Sequence, residues 1–361
     1  MQEQIHGGNI YKASRMYGIR KEDFLDYSAN INPLGLPQNL REILISNLDN
    51  LVNYPDTECT ELKQDISRYL KVDEDRIIVG NGASEVIFLL FEVLRPKKVL
   101  IPSPTFAEYS KAAVRCGADI EYFPLKEEDN FIPDREDLFS KLQAGVDALF
   151  LCNPNNPTST LLTKSSLLEI IEYSSRRNVF VIIDEAFIEL TAEANENSMA
   201  EVLSRFNNLF IIRAFTKLFA IPGLRLGYGL GGVETVKKMW EIKMPWSVNS
   251  LACSVGPVLE DKTGYMKKTR EWIKEELEWF YDELVKIPGL KVFKPNTNFI
   301  LLKILEEGLN VKILKDKMAS KGILIRDASN FKFLNEKFFR IAIKDRERNT
   351  VFLRTLKEVM G

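Results

Sequence analysis

The residues best suited to chemistry lie in "RAFTKLFAIPGLRLGYG", Arg213 to Gly229. Lys217 follows an apolar run and is flanked by Phe215, Leu218 and Phe219. Such a setting disfavours the ammonium form, lowers the pKa and makes the amine a nucleophile toward an aldehyde. Thr216 adds a hydroxyl and Arg225 a bidentate cation, and both suit a phosphate. "VIIDEAF" ends an apolar strand with Asp184 and Glu185, so an acid stands either at the solvent edge or over a ligand. In "LCNPNNPTS" two Asn-Pro steps bar helix, leaving Asn156 to project beyond a strand while Asn153 reads as part of a rigid turn. "VGNGASE" joins a strand to an apolar helix, where Gly82, Ala83 and Ser84 offer backbone N–H groups to a phosphate. Taken alone, that stretch reads equally as a turn capped by Asn81 or Ser84.

A common frame must bring these parts together. From about residue 75 to 230, short apolar runs alternate with amphipathic stretches: "RIIVG", "KVLIP", "ADIEYF", "DALFLC", "NVFVIID", "NLFIIRAF" and "RLGYGL". The runs are continuous rather than alternating, as expected of strands buried on both faces of an open α/β sheet. Ligands of such sheets bind beyond the carboxyl ends of the strands, and Asn156, Asp184 and Lys217 all fall there. "YMKKTREWIKEELEWFYDELVKIPG" predicts a long helix with Met266, Ile273, Leu277, Phe280 and Leu284 along one packed stripe, stopped at Pro288-Gly289. Short strands and two further helices then compose a smaller α+β domain. The expected division is an N-terminal arm over residues 1–45, counted with the small domain, a large domain over 46–257 and a small domain over 258–361.

Composition removes other classes of function. Lys and Arg number 49 against 51 Asp and Glu, so no electrostatic case exists for nucleic acid or a membrane surface. No apolar run approaches the ~18–20 residues of a membrane span, and "MQEQIHGGN" does not read as a signal peptide. The four cysteines form no Cys-x-x-Cys pair and there is one histidine, so no metal site is expected. Such cysteines read as reduced thiols of a cytoplasmic protein. A phosphate seat, a carboxylate for a ring nitrogen, an asparagine for a phenolic oxygen and an amine for an aldehyde together describe one cofactor, pyridoxal phosphate.

On "NPNNPT", "DEAF" and "TKLFAIPGLRLGY" the chain resembles the fold-type-I pyridoxal-phosphate enzymes of the aspartate aminotransferase superfamily, over essentially its whole length. That resemblance implies a mixed, mostly parallel sheet between helices. It makes Lys217 the Schiff-base lysine, Asp184 the partner of the pyridine nitrogen and Asn156 the donor to the phenolic oxygen. Gly82, Ala83, Ser84, Thr216 and Arg225 would hold the cofactor phosphate, and Phe106 in "SPTFAEY" would stack on the ring. Tyr54 in "NYPD" would reach a neighbouring subunit's cofactor, which implies a homodimer with shared sites. Substrate would meet Arg340 in "FFRIAI", Arg326 in "GILIRDASNF", Asn32 in "SANINPLG" and the lone histidine, His6, on a Gly7-Gly8 hinge. "HGGNIYKAS", "DYSANINPLGLP" and "MPWSVNSLA" are similar to threonine-phosphate decarboxylases of cobalamin synthesis, with histidinol-phosphate aminotransferases as the alternative. Phe187 favours the decarboxylases, because the aminotransferases usually carry tyrosine there. Ser159 stands where both branches often have glycine. A catalytically silent binding protein on this fold is the distant alternative. The implied substrate is a small phosphorylated amino acid or amine.

Overall fold

A strand apolar on both faces is stable only inside a layered fold. The computed structural model describes residues 7–361, apart from the side chains of 194 and 195, and His6 lies outside the described residues. A short strand, β1 (Leu25–Asp26), precedes the main sheet. That sheet comprises β2 (Ile77–Asn81), β3 (Lys98–Ser103), β4 (Asp119–Pro124), β5 (Ala148–Cys152), β6 (Phe180–Asp184), β7 (Leu209–Ala214) and β8 (Leu226–Leu230). All seven apolar runs therefore become strands. Their spatial order is β2-β8-β7-β6-β5-β3-β4, with β8 antiparallel to both its neighbours and the remaining pairs parallel. The chain is an α/β protein with a mixed, mostly parallel sheet.

Beyond the predicted long helix, Tyr265–Val285, come β9 (Leu290–Val292), β10 (Phe299–Ile304), β11 (Ile323–Leu324), β12 (Arg326–Asp327) and β13 (Phe338–Ala342). Met266, Ile273, Phe280 and Leu284 are buried as the stripe requires, and Leu277 is partly so. β12, β13, β10 and β9 form a second, antiparallel sheet. β1 pairs in parallel with β11, and Tyr27 is fully buried with its hydroxyl on Asn349, 3.0 Å away. The N-terminal segment is thereby fastened to the C-terminal part of the chain.

The helix Gly82–Leu94 buries Val86, Ile87, Leu89, Leu90 and Phe91 against the main sheet. Each such side chain contributes about 1.5–3 kcal/mol relative to exposure. Gly227 lets the helix start there: a Cβ at Gly227 would stand 2.3 Å from the Ala83 nitrogen. One expectation fails. Cys59 and Cys253, expected to be separate thiols, lie side by side with Cα atoms 5.4 Å apart, within disulfide reach, whereas Cys116 and Cys152 stand alone among the described residues. A separation of 194 residues carries no pairing signal in sequence; packing of the helix Thr60–Leu70 on the turn Gly256–Glu260 creates the proximity.

Gly227→Ala should push the start of that helix away from β8. A loss of about 1–3 kcal/mol in denaturant unfolding is expected, the usual scale of overpacking.

Candidate active site

In-register pairing sets the floor of the site. Cys152 lies opposite Asp184, and Asp184 opposite Ile212, so β5, β6 and β7 end at one edge. A cavity of about 530 Å³ opens over that edge. Asn156, Asp184, Thr216 and Lys217 reach it from the strand ends, Ala83, Ser84 and Phe106 from the helical side, and Arg225, Arg326 and Arg340 from the loops and second sheet.

Lys217 sits on the short helix Phe215–Leu218, directly after β7. Burial first, then the nearby Arg340 and Arg225, push its amine down to about 8. The apolar neighbourhood read from sequence is real, and two cations strengthen it. Its Nζ stands 6.0 Å from the centre of the Phe187 ring.

Asp184 is 5% exposed, and burial raises its carboxyl to about 6. Two donors oppose that rise: the Tyr109 hydroxyl at 2.7 Å on Oδ2 and the Ala186 N–H at 2.8 Å on Oδ1. The adjacent Glu185 faces the other way. It accepts from Arg213 at 2.8 Å and from the Met199 N–H at 2.7 Å, a buried ion pair behind the site. The open alternative at this strand end resolves with Asp184 over the cavity.

The helix Gly82–Leu94 has no side-chain cap; neither Asn81 nor Ser84 serves as one. The Glu85 carboxylate accepts from the Asn81 N–H instead, at 2.5 Å. Arg225 adopts a left-handed φ of 56°, and its guanidinium lies so close to Gly82 that a Cβ there would meet Nη2 at 2.5 Å. Gly82 itself does not line the cavity; its missing side chain lets the arginine approach the helix end. An uncapped N-terminus beside a guanidinium suits a phosphate.

At the opposite end, Arg326 on β12 and Arg340 on β13 are register partners. Arg340 donates Nη1 to Asn156 Oδ1 and Nη2 to the Ser28 carbonyl at 2.8 Å. Its buried Nε has no partner among the described residues. Burial, then the Arg326 charge, lower Arg340 to about 9, and burial lowers Arg326 to about 10. Arg326 also donates Nη2 to Asn330 Oδ1 at 2.9 Å. Two guanidiniums in one dry wall repel each other, and an anionic ligand relieves both the repulsion and the open donor.

Two further sequence candidates, Asn32 and Tyr54, stand elsewhere. Asn32 is 2% exposed, and its amide nitrogen donates to the Leu218 carbonyl at 2.9 Å and to Thr269 Oγ1 at 2.8 Å. Its own N–H donates to the Lys217 carbonyl at 3.2 Å. Asn32 thus fastens the lysine turn from behind and is no cavity residue, which corrects its substrate-binding assignment. Tyr54 is 81% exposed and packs against Trp246, ring centres 4.7 Å apart and planes tilted by 34°. His6 lies outside the described residues, although Gly7 lines the cavity and Gly8 N–H bonds Ser28 Oγ at 2.8 Å.

Sequence reasoning missed two residues. Asn30 lines the cavity, is 2% exposed, and has neither amide atom paired among the described residues. A buried, unpaired amide is costly unless a ligand completes it. The "SANIN" segment offers two asparagines alike in sequence and equally buried, and only pairing and the cavity wall separate Asn30 from Asn32. Tyr109, in the first turn of the helix Glu108–Arg115, fixes Asp184, and its ring meets Phe106 edge-on with centres 5.6 Å apart.

The aminotransferase class I and II family model matches residues 22–356. The chain belongs to that family. Its cofactor is pyridoxal 5′-phosphate, and the buried acid, the depressed lysine and the uncapped helix end fit that molecule. A protein of Caldanaerobacter subterraneus subsp. tengcongensis, provisionally named a threonine-phosphate decarboxylase, is 40% identical over 99% of this chain and 94% of its own. The threonine-phosphate decarboxylase of Salmonella typhimurium is 36% identical over 98% of this chain and 96% of its own. The crystal structure of a histidinol-phosphate aminotransferase from Clostridium acetobutylicum superposes with a TM-score of 0.86 at 38% identity, covering 92% of this chain and 98% of that one.

The titrations of Lys217 and Asp184 set a pH dependence for cofactor uptake. Lys217 is neutral, and so nucleophilic, above about 8, whereas Asp184 becomes protonated as pH falls through about 6. Rapid-mixing absorbance of the cofactor-free protein with pyridoxal phosphate should show association accelerating up to and through about pH 8. Equilibrium affinity should fall below about pH 6.

Proposed function

We propose that this chain decarboxylates L-threonine O-3-phosphate to aminopropanol phosphate, a step of cobalamin synthesis. The observation that carries the reading is the register pair of buried arginines in one cavity wall, with an open donor on Arg340. Threonine phosphate brings a carboxylate and a phosphate on one molecule, one anion for each guanidinium. Histidinol phosphate brings only the phosphate. Full-length similarity to two threonine-phosphate decarboxylases at 40% and 36% supports the same assignment.

In this reading Ala83, Ser84, Thr216 and Arg225 hold the cofactor phosphate. Asp184 holds a proton on the pyridine nitrogen, and the Tyr109 hydroxyl and Ala186 N–H keep that carboxylate ionised and oriented. Asn156 has its Oδ1 engaged by Arg340, so its Nδ2 would be the donor to the phenolic oxygen. Phe106 covers the ring. When bound, pyridoxal 5′-phosphate supplies an aldehyde for Lys217 and an electron sink for the charge left at the substrate α-carbon. Arg340 grips the substrate carboxylate, and Arg326 with Asn30 takes its phosphate. Their grip would fix how the substrate is turned about its α-carbon, and hence which bond breaks. Lys217 Nζ returns a proton to the α-carbon once carbon dioxide has left. Phe187 gives the lysine an apolar neighbour with no hydroxyl to compete for that proton.

The assignment includes a homodimer with shared sites. Tyr54 and Trp246 pack beside the exposed Leu51 and Val52, an apolar patch that suits a subunit interface. It also includes a cytoplasmic location and the division into an arm, a large and a small domain near residues 45 and 257. A separate apolar cluster built from Tyr27 and residues between Ile273 and Val359 supports that division. His6 remains a candidate phosphate ligand on the Gly7-Gly8 hinge; His6→Ala should raise KM for threonine phosphate and leave cofactor affinity unchanged. Histidinol-phosphate transamination is the second reading, favoured by the 38% identical Clostridium structure.

Purified protein should be yellow, be bleached by borohydride, and release carbon dioxide from threonine phosphate. Glutamate formed from histidinol phosphate and 2-oxoglutarate, without carbon dioxide from threonine phosphate, would reverse the assignment. Arg340→Gln should lower kcat/KM by about 2–4 kcal/mol, some 30- to 1,000-fold, the scale for losing one partner of a buried charged pair. Arg340→Lys should rescue little, since an ammonium lacks the planar fork.

A further inference from the structure

Ser159 departs from the backbone rule that its position sets. Its φ is +61°, a region in which a Cβ is strained and glycine is favoured. Serine is therefore held there by something its side chain does. The residue is fully buried in the loop that follows β5, with its own N–H on the Asn155 carbonyl at 2.7 Å. Its Oγ accepts two backbone N–H groups from a distant segment, Asn296 at 2.9 Å and Thr297 at 3.1 Å. Its carbonyl accepts from the Asn296 side chain at 3.0 Å. A hydroxyl oxygen has two lone pairs, and here both are used by one turn.

That turn leads into β10, two residues later. β10 pairs with β13 so that Leu301 lies opposite Arg340, and Arg340 donates back to Asn156, three residues before Ser159. The chain thus closes a circuit through Asn156, Ser159, the 296–297 turn, β10, β13 and Arg340. Two points of that circuit join the loop after β5 to the second sheet, the Arg340–Asn156 hydrogen bond and the Ser159 clamp, while Glu127, after β4, adds ion pairs to Lys291 and Lys303 further along that sheet. Thr297 adds a bond to the Phe187 carbonyl at 3.5 Å, so the turn also touches the segment beside Lys217.

We infer that Ser159 is a positioning residue: its hydroxyl clamps the turn before β10 and so holds Arg340 at the spacing from Asn156 that an anionic substrate requires. The inference rests on the reading of Arg340 as the substrate's anion grip. It assigns Ser159 no contact with substrate or cofactor, and Ser159 does not line the cavity. Glycine at 159 would relieve the backbone and still lose the clamp, because the two N–H groups of the turn would then have no acceptor. Backbone preference and clamp therefore predict opposite outcomes for one substitution.

The test uses the full-length, cofactor-loaded enzyme and the variants Ser159→Gly, Ser159→Ala and Ser159→Asn. Hydrogen exchange at the Asn296 and Thr297 amides should rise at least tenfold in the glycine and alanine variants relative to wild type. KM for L-threonine O-3-phosphate should rise about tenfold in both, with kcat changed less than threefold and pyridoxal phosphate affinity within twofold. Asparagine, which tolerates the left-handed region and carries an acceptor oxygen, should recover part of the protection and of the KM. Unchanged exchange at 296–297 in Ser159→Gly overturns the clamp, as does equal loss of cofactor affinity and substrate affinity. If wild type does not turn over threonine phosphate, the substrate assignment fails. The clamp is then judged by exchange and by binding of inorganic phosphate to wild type and variants.

Discussion

Everything in this molecule is arranged around a half-buried lysine whose amine feels a buried carboxylate and two arginines. Lys217 in water would be cationic well above neutrality; burial and the two guanidiniums bring it to about 8. Asp184 experiences the same low dielectric with the opposite sign and rises to about 6. Neither value follows from residue type. Each depends on the main sheet excluding water from both faces of β6 and β7, so the apolar strands are as much a part of the chemistry as the groups at their ends.

Two sheets share the work unequally. The main sheet carries the groups that face a cofactor, and the second sheet carries Arg326 and Arg340 on neighbouring strands. Arg340 joins the two by donating to Asn156 of one and the Ser28 carbonyl of the N-terminal segment. The N-terminal segment in turn is fastened by β1 to β11 and by Asn32 to the lysine turn. A grip on substrate anions is thereby tied to the amine, and a change in the spacing of the sheets alters orientation before it alters cofactor binding. Orientation is what separates loss of carbon dioxide from proton removal at the same carbon.

The strands of the main sheet were legible because each is a continuous apolar run, and the long helix because its stripe repeats at the helical period. Lys217, Asp184 and Asn156 were legible because each follows directly on such a run, and strand ends share an edge. Asn30 was not, since "SANIN" contains two asparagines of equal promise. The pair Cys59 and Cys253 was not, since its signal exists only once two helical segments pack. Ser159 was visible as a departure, but its meaning required Asn296 and Thr297, more than a hundred residues away.

The sequence by itself determined the order of elements, the family and the groups that meet at the ends of the strands, because these depend on local periodicity and on short contiguous motifs. Tertiary structure alone decided which polar groups are left without partners, which carboxylate faces the cavity, and how far the two arginines stand from the lysine. Those are properties of burial and distance between residues remote in the chain, and no local pattern records them. Asn32 holding the lysine from behind while Asn30 waits unpaired in front is the clearest case: identical side chains, two positions apart, divided only by what surrounds them.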